Sequence, residues 1–98
     1  MVIFEWNAQK NLANLKKHGI SFEEAVQIFK GPIITYASSK KELGERRFIS
    51  VGAISGIVVI AVIHTDRSGS TRIISARKAN RKERQKYYEY LKEKVGKD

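Results

Sequence analysis

Cysteine is absent from this 98-residue chain, which excludes a disulfide framework and any thiolate-bound metal. Histidine is nearly absent as well. His18 and His64 have no carboxylates at metal-ligand spacing, so neither a metal site nor a cofactor is predicted. No glycine-rich loop of the P-loop or dinucleotide type is present. The longest apolar run, Ile57 to Ile63, is far too short to cross a bilayer. The opening segment, Met1 to Asn7, has neither the basic start nor the apolar stretch of a secretory signal, and the expected location is the cytoplasm. Acidic residues are scarce: 10 Asp and Glu stand against 19 Lys and Arg, a formal charge of +9. With a pI near 10.0, the chain is suited to polyanionic partners such as RNA, DNA or an acidic protein. Lysine in excess can simply keep a small domain soluble, but here the arginines cluster instead of scattering.

What is present fits one domain over residues 1–98, with 42% apolar residues for a modest core. Residues 2–5 read as a short strand. Asn7 can cap a helix that runs to His18 and stops at Gly19. Ser21 and Glu24 form a capping-box pattern for a second helix, with Ile20 placed to pack on Ala25 and Gly31-Pro32 to end it. Strands then follow: Ile33 to Ala37, a polar loop from Ser38 to Gly44, and two strands, Arg46 to Ile54 and Ile57 to Thr65, around the turn Ser55-Gly56. The run Ile57 to Ile63 reads as a central strand covered on both faces. A last strand, Thr71 to Arg77, leads to a helix from Arg81 to about Lys94. The order β-α-α-β-β-β-β-α predicts an α+β fold, an antiparallel sheet of about four strands with helices packed on one side.

The densest basic stretch lies where the last strand meets the last helix. It gathers Arg72, Arg77, Lys78, Arg81, Lys82 and Arg84 around one carboxylate, Glu83. Strand alternation assigns Ile73, Ser75 and Arg77 to one face and Arg72, Ile74 and Ala76 to the other. Asn80 offers a helix N-cap with Glu83 at N3. A positive strand-to-helix corner of this kind suits phosphates.

Several segments together resemble the BrnT toxin family of bacterial type II toxin–antitoxin systems. They are Phe4-Glu5-Trp6 with Lys10 and Asn14, Lys17-His18-Gly19-Ile20-Ser21-Phe22-Glu23-Glu24-Ala25, Glu45-Arg46-Arg47-Phe48 leading to Gly52, and Arg72-Ile73-Ile74-Ser75-Ala76-Arg77 leading to Glu83-Arg84 and Tyr87. One position departs: Asn7 stands where the family usually has aspartate, and it caps a helix about as well. The resemblance implies a RelE-like fold and a ribonuclease that cleaves mRNA, free or on the ribosome, to inhibit translation. It also implies neutralisation by a BrnA-like antitoxin, with operator DNA reached only through that antitoxin.

RNA can be cut without a metal when its own 2′-hydroxyl attacks, given proton carriers and cations around the phosphorane. Cations are plentiful here and proton carriers few. Arg77 and Arg46 are candidate phosphate ligands because a guanidinium stays charged and offers a planar fork. Arg67, in the turn after the central strand, and His64, at that strand's end, complete the candidate catalytic set. The alternative for His64 is an ordinary strand-end histidine, and for Arg77 an ion pair with Glu45 or Glu83. Lys10, Asn14, His18, Arg72, Lys78 and Arg81 are candidates for RNA binding, with a solvated lysine face and a helix stop as the plain alternatives for Lys10 and His18. Two other functions compete with the enzyme: a basic module that grips RNA or the ribosome without cutting, and an inactive co-repressor partner of the antitoxin.

Overall fold

The computed structural model describes residues 3–42 and 45–95. Strand β1 (Ile3–Glu5) precedes helix α1 (Ala8–His18), and α2 (Phe22–Ala25) runs into a 3-10 turn, Val26–Lys30. Then come β2 (Ile34–Glu42), β3 (Glu45–Ile54), β4 (Val58–Arg67), β5 (Ser70–Lys78) and α3 (Arg81–Val95). The local signals act as their chemistry dictates. Asn7 Oδ1 accepts the Lys10 N–H, and Gly19 closes α1 in the left-handed region at φ 74°. Ser21 and Glu24 exchange the reciprocal bonds of a capping box. Ser55 and Gly56, at φ 52° and 68°, form the tight turn that joins β3 to β4.

The sheet corrects the expected one in three ways. It has five strands, in the order β1-β5-β4-β3-β2. It is mixed, because β1 pairs in parallel with β5, Phe4 lying opposite Thr71. A parallel pair needs a long crossover, which the whole chain between β1 and β5 supplies. Finally, the helices cover both faces. Ile20, Phe22, Ala25 and Ile28 pack with Ile60, Val62, Ile73 and Ala76 on one face. Val51, Val59 and Ala61 pack with Ala79 and Tyr87 of α3 on the other. Along β4, residues 59 to 62 are 6%, 0%, 0% and 0% exposed, so both faces of that strand required a cover.

Two irregularities decide which side chains meet. Across β4 and β5, Ile63 pairs with Ser75 but His64 pairs with Ile73, leaving Ile74 as an extra residue in β5. This bulge breaks the simple alternation. Ile73 and Ala76 therefore both face the core under α1 and α2, whereas Arg72, opposite Thr65, joins Ser75 and Arg77 on the other face. A second shift lies in β2 between Ala37 and Lys41. The residues expected as a polar loop are strand as far as Glu42, and Leu43 and Gly44 of that loop lie outside the described residues.

Candidate nucleic-acid interface

Helix α3 covers only the half of its face nearest the Ser55–Gly56 turn, over Val51, Val59 and Ala61. The other half stays open and forms a cleft of about 560 Å³. Its floor is Ile49 and Ile63, which pair across β3 and β4, and its sides carry Tyr36, Arg47, Ser75 and Arg77. Further along the same face come Thr65 and Arg72, then Arg67 opposite Ser70. Arg67 pairs with Glu45, and Arg72 Nη1 lies 3.4 Å from Glu5 Oε1, a long and half-exposed contact. The hydroxyls of Thr65 and Ser70 are buried here without a hydrogen-bond partner among the described residues. An apolar floor bordered by guanidinium and hydroxyl groups offers a base something to lie on and phosphates something to grip.

Glu83 is the hub of the cleft's helical end. Its Oε1 accepts Arg77 Nη1–H at 2.8 Å and the Asn80 backbone N–H at 2.8 Å. Its Oε2 accepts Arg77 Nη2–H at 3.0 Å and the Tyr36 hydroxyl at 2.8 Å. Asn80 Oδ1 in turn accepts the Glu83 N–H at 2.8 Å, completing the cap of α3. The carboxylate is 7% exposed. The Arg77 hydrogen bonds outweigh burial and, with those from Asn80 and Tyr36, hold its pKa down at about 2. Burial, then the bond to Glu83, pushes the Tyr36 phenol up to about 12, and the Glu83 bond raises Arg77 further. Neither Glu83 nor Tyr36 is therefore poised to accept a proton near neutral pH. Among the described residues, no group of three or more His, Cys, Asp or Glu is placed to hold a metal ion.

Residues 6–83, which include every cleft residue from Tyr36 to Glu83, match the family described as "Ribonuclease toxin, BrnT, of type II toxin-antitoxin system". The chain belongs to the BrnT family. The 1.1 Å crystal structure of the Brucella abortus ribonuclease toxin BrnT shares its fold, with a TM-score of 0.63 and 24% identity over 83% of this chain and 100% of that one. Comparison with curated proteins gave no match. No helix among the described residues is long and apolar enough to cross a membrane.

In this BrnT-family chain the predicted site residues divide between two faces of one sheet. Arg77, Arg67 and Arg72 share the open face. His64 lies on the other, 3% exposed, beside the α1–α2 core. Its Nε2 is 2.8 Å from Ser50 Oγ, its Nδ1 2.9 Å from Asp66 Oδ1, and Ser50 Oγ is 2.8 Å from Thr35 Oγ1. The ring stacks on Phe48 at 6.0 Å and meets the edge of Phe29 at 5.5 Å. Arg46 is exposed and alternates to His64's side, since Phe48 pairs with His64. Arg47 is the neighbour that lines the cleft.

Asn14 is a buried strut rather than a ligand-facing residue. Its Nδ2 donates to Ile20 O at 2.9 Å and Ala76 O at 2.8 Å, and its Oδ1 accepts Ala76 N–H at 3.2 Å, tying α1 to β5. Lys10 and the half-buried His18 also belong to α1, on the sheet face away from the cleft. Lys78 and Arg81 are exposed where β5 passes into α3. Sequence reasoning missed Tyr36, Arg47 and Ser75 as cleft residues. It read Glu83 as a cap and, with Glu45, as a possible partner of Arg77, and the ion pair forms with Glu83. Counting pairs back from the Ser55–Gly56 turn would have placed Arg47 with Ile49 and Ile63.

Proposed function

We propose that this protein is the toxin of a type II toxin–antitoxin pair, an endoribonuclease that cleaves mRNA on the open half of its sheet. The observation that carries this reading is the convergence of Arg47, Arg67, Arg72 and Arg77 on one uncovered face with an apolar floor. Arg77 binds the scissile phosphate and stabilises the charge of the phosphorane as it forms; a donor aimed at such developing charge is typically worth about 10²–10³ in rate. Arg47, Arg67 and Arg72 guide the flanking backbone, and the apolar floor supports an unpaired base. The RNA's own 2′-hydroxyl attacks the phosphorus and displaces the 5′-oxygen. This gives a 2′,3′-cyclic phosphate and a 5′-hydroxyl that gains the proton the 2′-oxygen loses, and no metal takes part. His64, on the far face, supports the sheet beneath the cleft. The fold is read as RelE-like, and the protein acts in the cytoplasm, where mRNA is translated. A BrnA-like antitoxin neutralises it by covering the basic cleft, and operator DNA is contacted through that antitoxin.

The absence of a histidine from the cleft residues favours a second reading, a module that grips RNA or the ribosome without cutting it. Product chemistry separates the two. End-labelled RNA is incubated with the protein in EDTA, beside Arg77→Ala and His64→Ala variants. Fragments ending in 2′,3′-cyclic phosphate that vanish with Arg77→Ala support the nuclease. Intact RNA with retained, salt-sensitive binding, on translating ribosomes as well as in free RNA, supports the module.

A further inference from the structure

We propose that Glu83 is a positioning residue of the ribonuclease site: it grips Arg77 by one fork and thereby aims the second fork of the guanidinium at the substrate phosphate. The inference rests on reading the open cleft as the RNA site. A guanidinium carries five N–H donors. Two of them, on Nη1 and Nη2, meet the two Glu83 oxygens at 2.8 and 3.0 Å. Another reaches the Lys78 carbonyl from Nη1 at 3.4 Å. The pair that remains, Nε–H and the outer Nη2–H, is parallel and matches two phosphate oxygens.

The grip on Arg77 is rigid because Glu83 is itself held from three further directions. Its backbone N–H is bonded to Asn80, its Oε1 takes the Asn80 N–H, and its Oε2 takes the Tyr36 hydroxyl. Tyr36 comes from β2 and Arg77 from β5, so the carboxylate joins the two sides of the cleft at the start of α3. An arginine left alone on an open sheet face would have to give up side-chain freedom each time it bound. Here that freedom is surrendered in the free protein. Glu83 also balances the charge of Arg77 before substrate arrives, so Arg77 adds little to ground-state attraction. The aimed fork gains most when negative charge accumulates on the phosphorane. Such an interaction appears in kcat and not in KM.

The test compares Glu83→Gln and Arg77→Lys with the wild type in single-turnover cleavage of a labelled single-stranded RNA. Glutamine is accepted at this position of a capping box, so α3 keeps its start. Its amide nevertheless places donors against Arg77 or Tyr36. Arg77→Lys leaves the Asn80–Glu83 cap intact and carries the test independently of Glu83's part in folding. For each variant kcat falls about 10- to 100-fold, while KM is unchanged or lower. The loss is less than the roughly 10²–10³ for removing an aimed donor outright, because a misaimed cation still faces the charge. The double variant is no slower than either single one, since the two residues act as a unit. In ¹⁵N spectra the Arg77 Nη signals, separately resolved in the wild type, merge in Glu83→Gln. A Glu83→Gln enzyme that retains wild-type kcat overturns the positioning role while leaving the cleft reading intact. Wild-type protein that neither binds nor cuts RNA overturns the cleft reading, and the positioning role with it.

Discussion

Arg77 and His64 lie on neighbouring strands but on opposite sides of the sheet, and their chemistry divides accordingly. The imidazole has both nitrogens bonded and aromatic rings on two sides, so its removal leaves a cavity and takes one of two partners from the buried Ser50 hydroxyl, which keeps Thr35. We expect His64→Ala to cost about 2–4 kcal/mol in urea melts. RNA cleavage per folded molecule should stay within a few-fold of wild type, and a hundred-fold loss without loss of stability would return His64 to the reaction. Glu83 gives the residue scale its pH signature. Its folded pKa, about 2, lies below the ordinary value of 4.5, so the carboxylate stabilises the fold fully above pH 4.5. That contribution is lost as pH falls through about 2. Thermal melts of wild type and Glu83→Gln should therefore differ by a constant amount from pH 7 to 5. The gap should narrow steadily from pH 4.5 to 2.5; a gap that does not change would mean the Arg77–Glu83 pair is not charged in the way described.

Among the elements, the bonds between neighbouring residues were legible and the long-range ones were not. Asn7, Gly19, Ser21 with Glu24, Ser55-Gly56, and Asn80 with Glu83 announce caps and turns because each acts within a few residues of itself. The bulge at Ile74 has no such signal. It arises in the pairing of β5 with β4, and it moves Arg72 onto the same face as Arg77. Likewise β1 is only three residues long, and its parallel place beside β5 depends on Phe4 finding the core. The two-sided burial of β4 was readable from its unbroken apolar run, and it required the helices on both faces that the element order alone did not suggest. Gly52 shows how closely one of those layers sits. A Cβ there would lie 2.8 Å from Ile28 Cβ and 2.9 Å from Ile33 Cγ2, neither at the far end of a flexible chain. Gly52→Ala should thus push the 3-10 turn off β3 and cost about 1–3 kcal/mol by chemical denaturation. A neutral result would mean that this layer yields more easily than its packing implies.

For the molecule as a whole, the charge of +9 sets how far away a polyanion is felt, while the proposed site on the sheet face would decide where it settles. The two contributions respond differently to salt and to mutation. Single-stranded RNA releases counterions with a slope of about −0.7 per phosphate neutralised, so four cleft arginines imply a log–log slope near −3. Glu83, Glu45 and Glu5 share Arg77, Arg67 and Arg72, and this makes the slope shallower than that unless RNA displaces them. Because Glu83 balances Arg77 in the free protein, Arg77→Ala should leave the slope nearly unchanged. Helix α3 presents Arg81, Lys82 and Lys86 to solvent beside this face, with Lys82 and Lys86 bordering a groove shared with Tyr36 and Glu83. If RNA continues from the cleft along that groove, replacing the three by glutamine flattens the slope by about 2, whereas the Arg77 variant does not. Fluorescence anisotropy between 50 and 300 mM salt measures both. An unchanged slope in the triple variant confines RNA to the sheet and leaves the cations of α3 as a long-range attractor or an antitoxin contact.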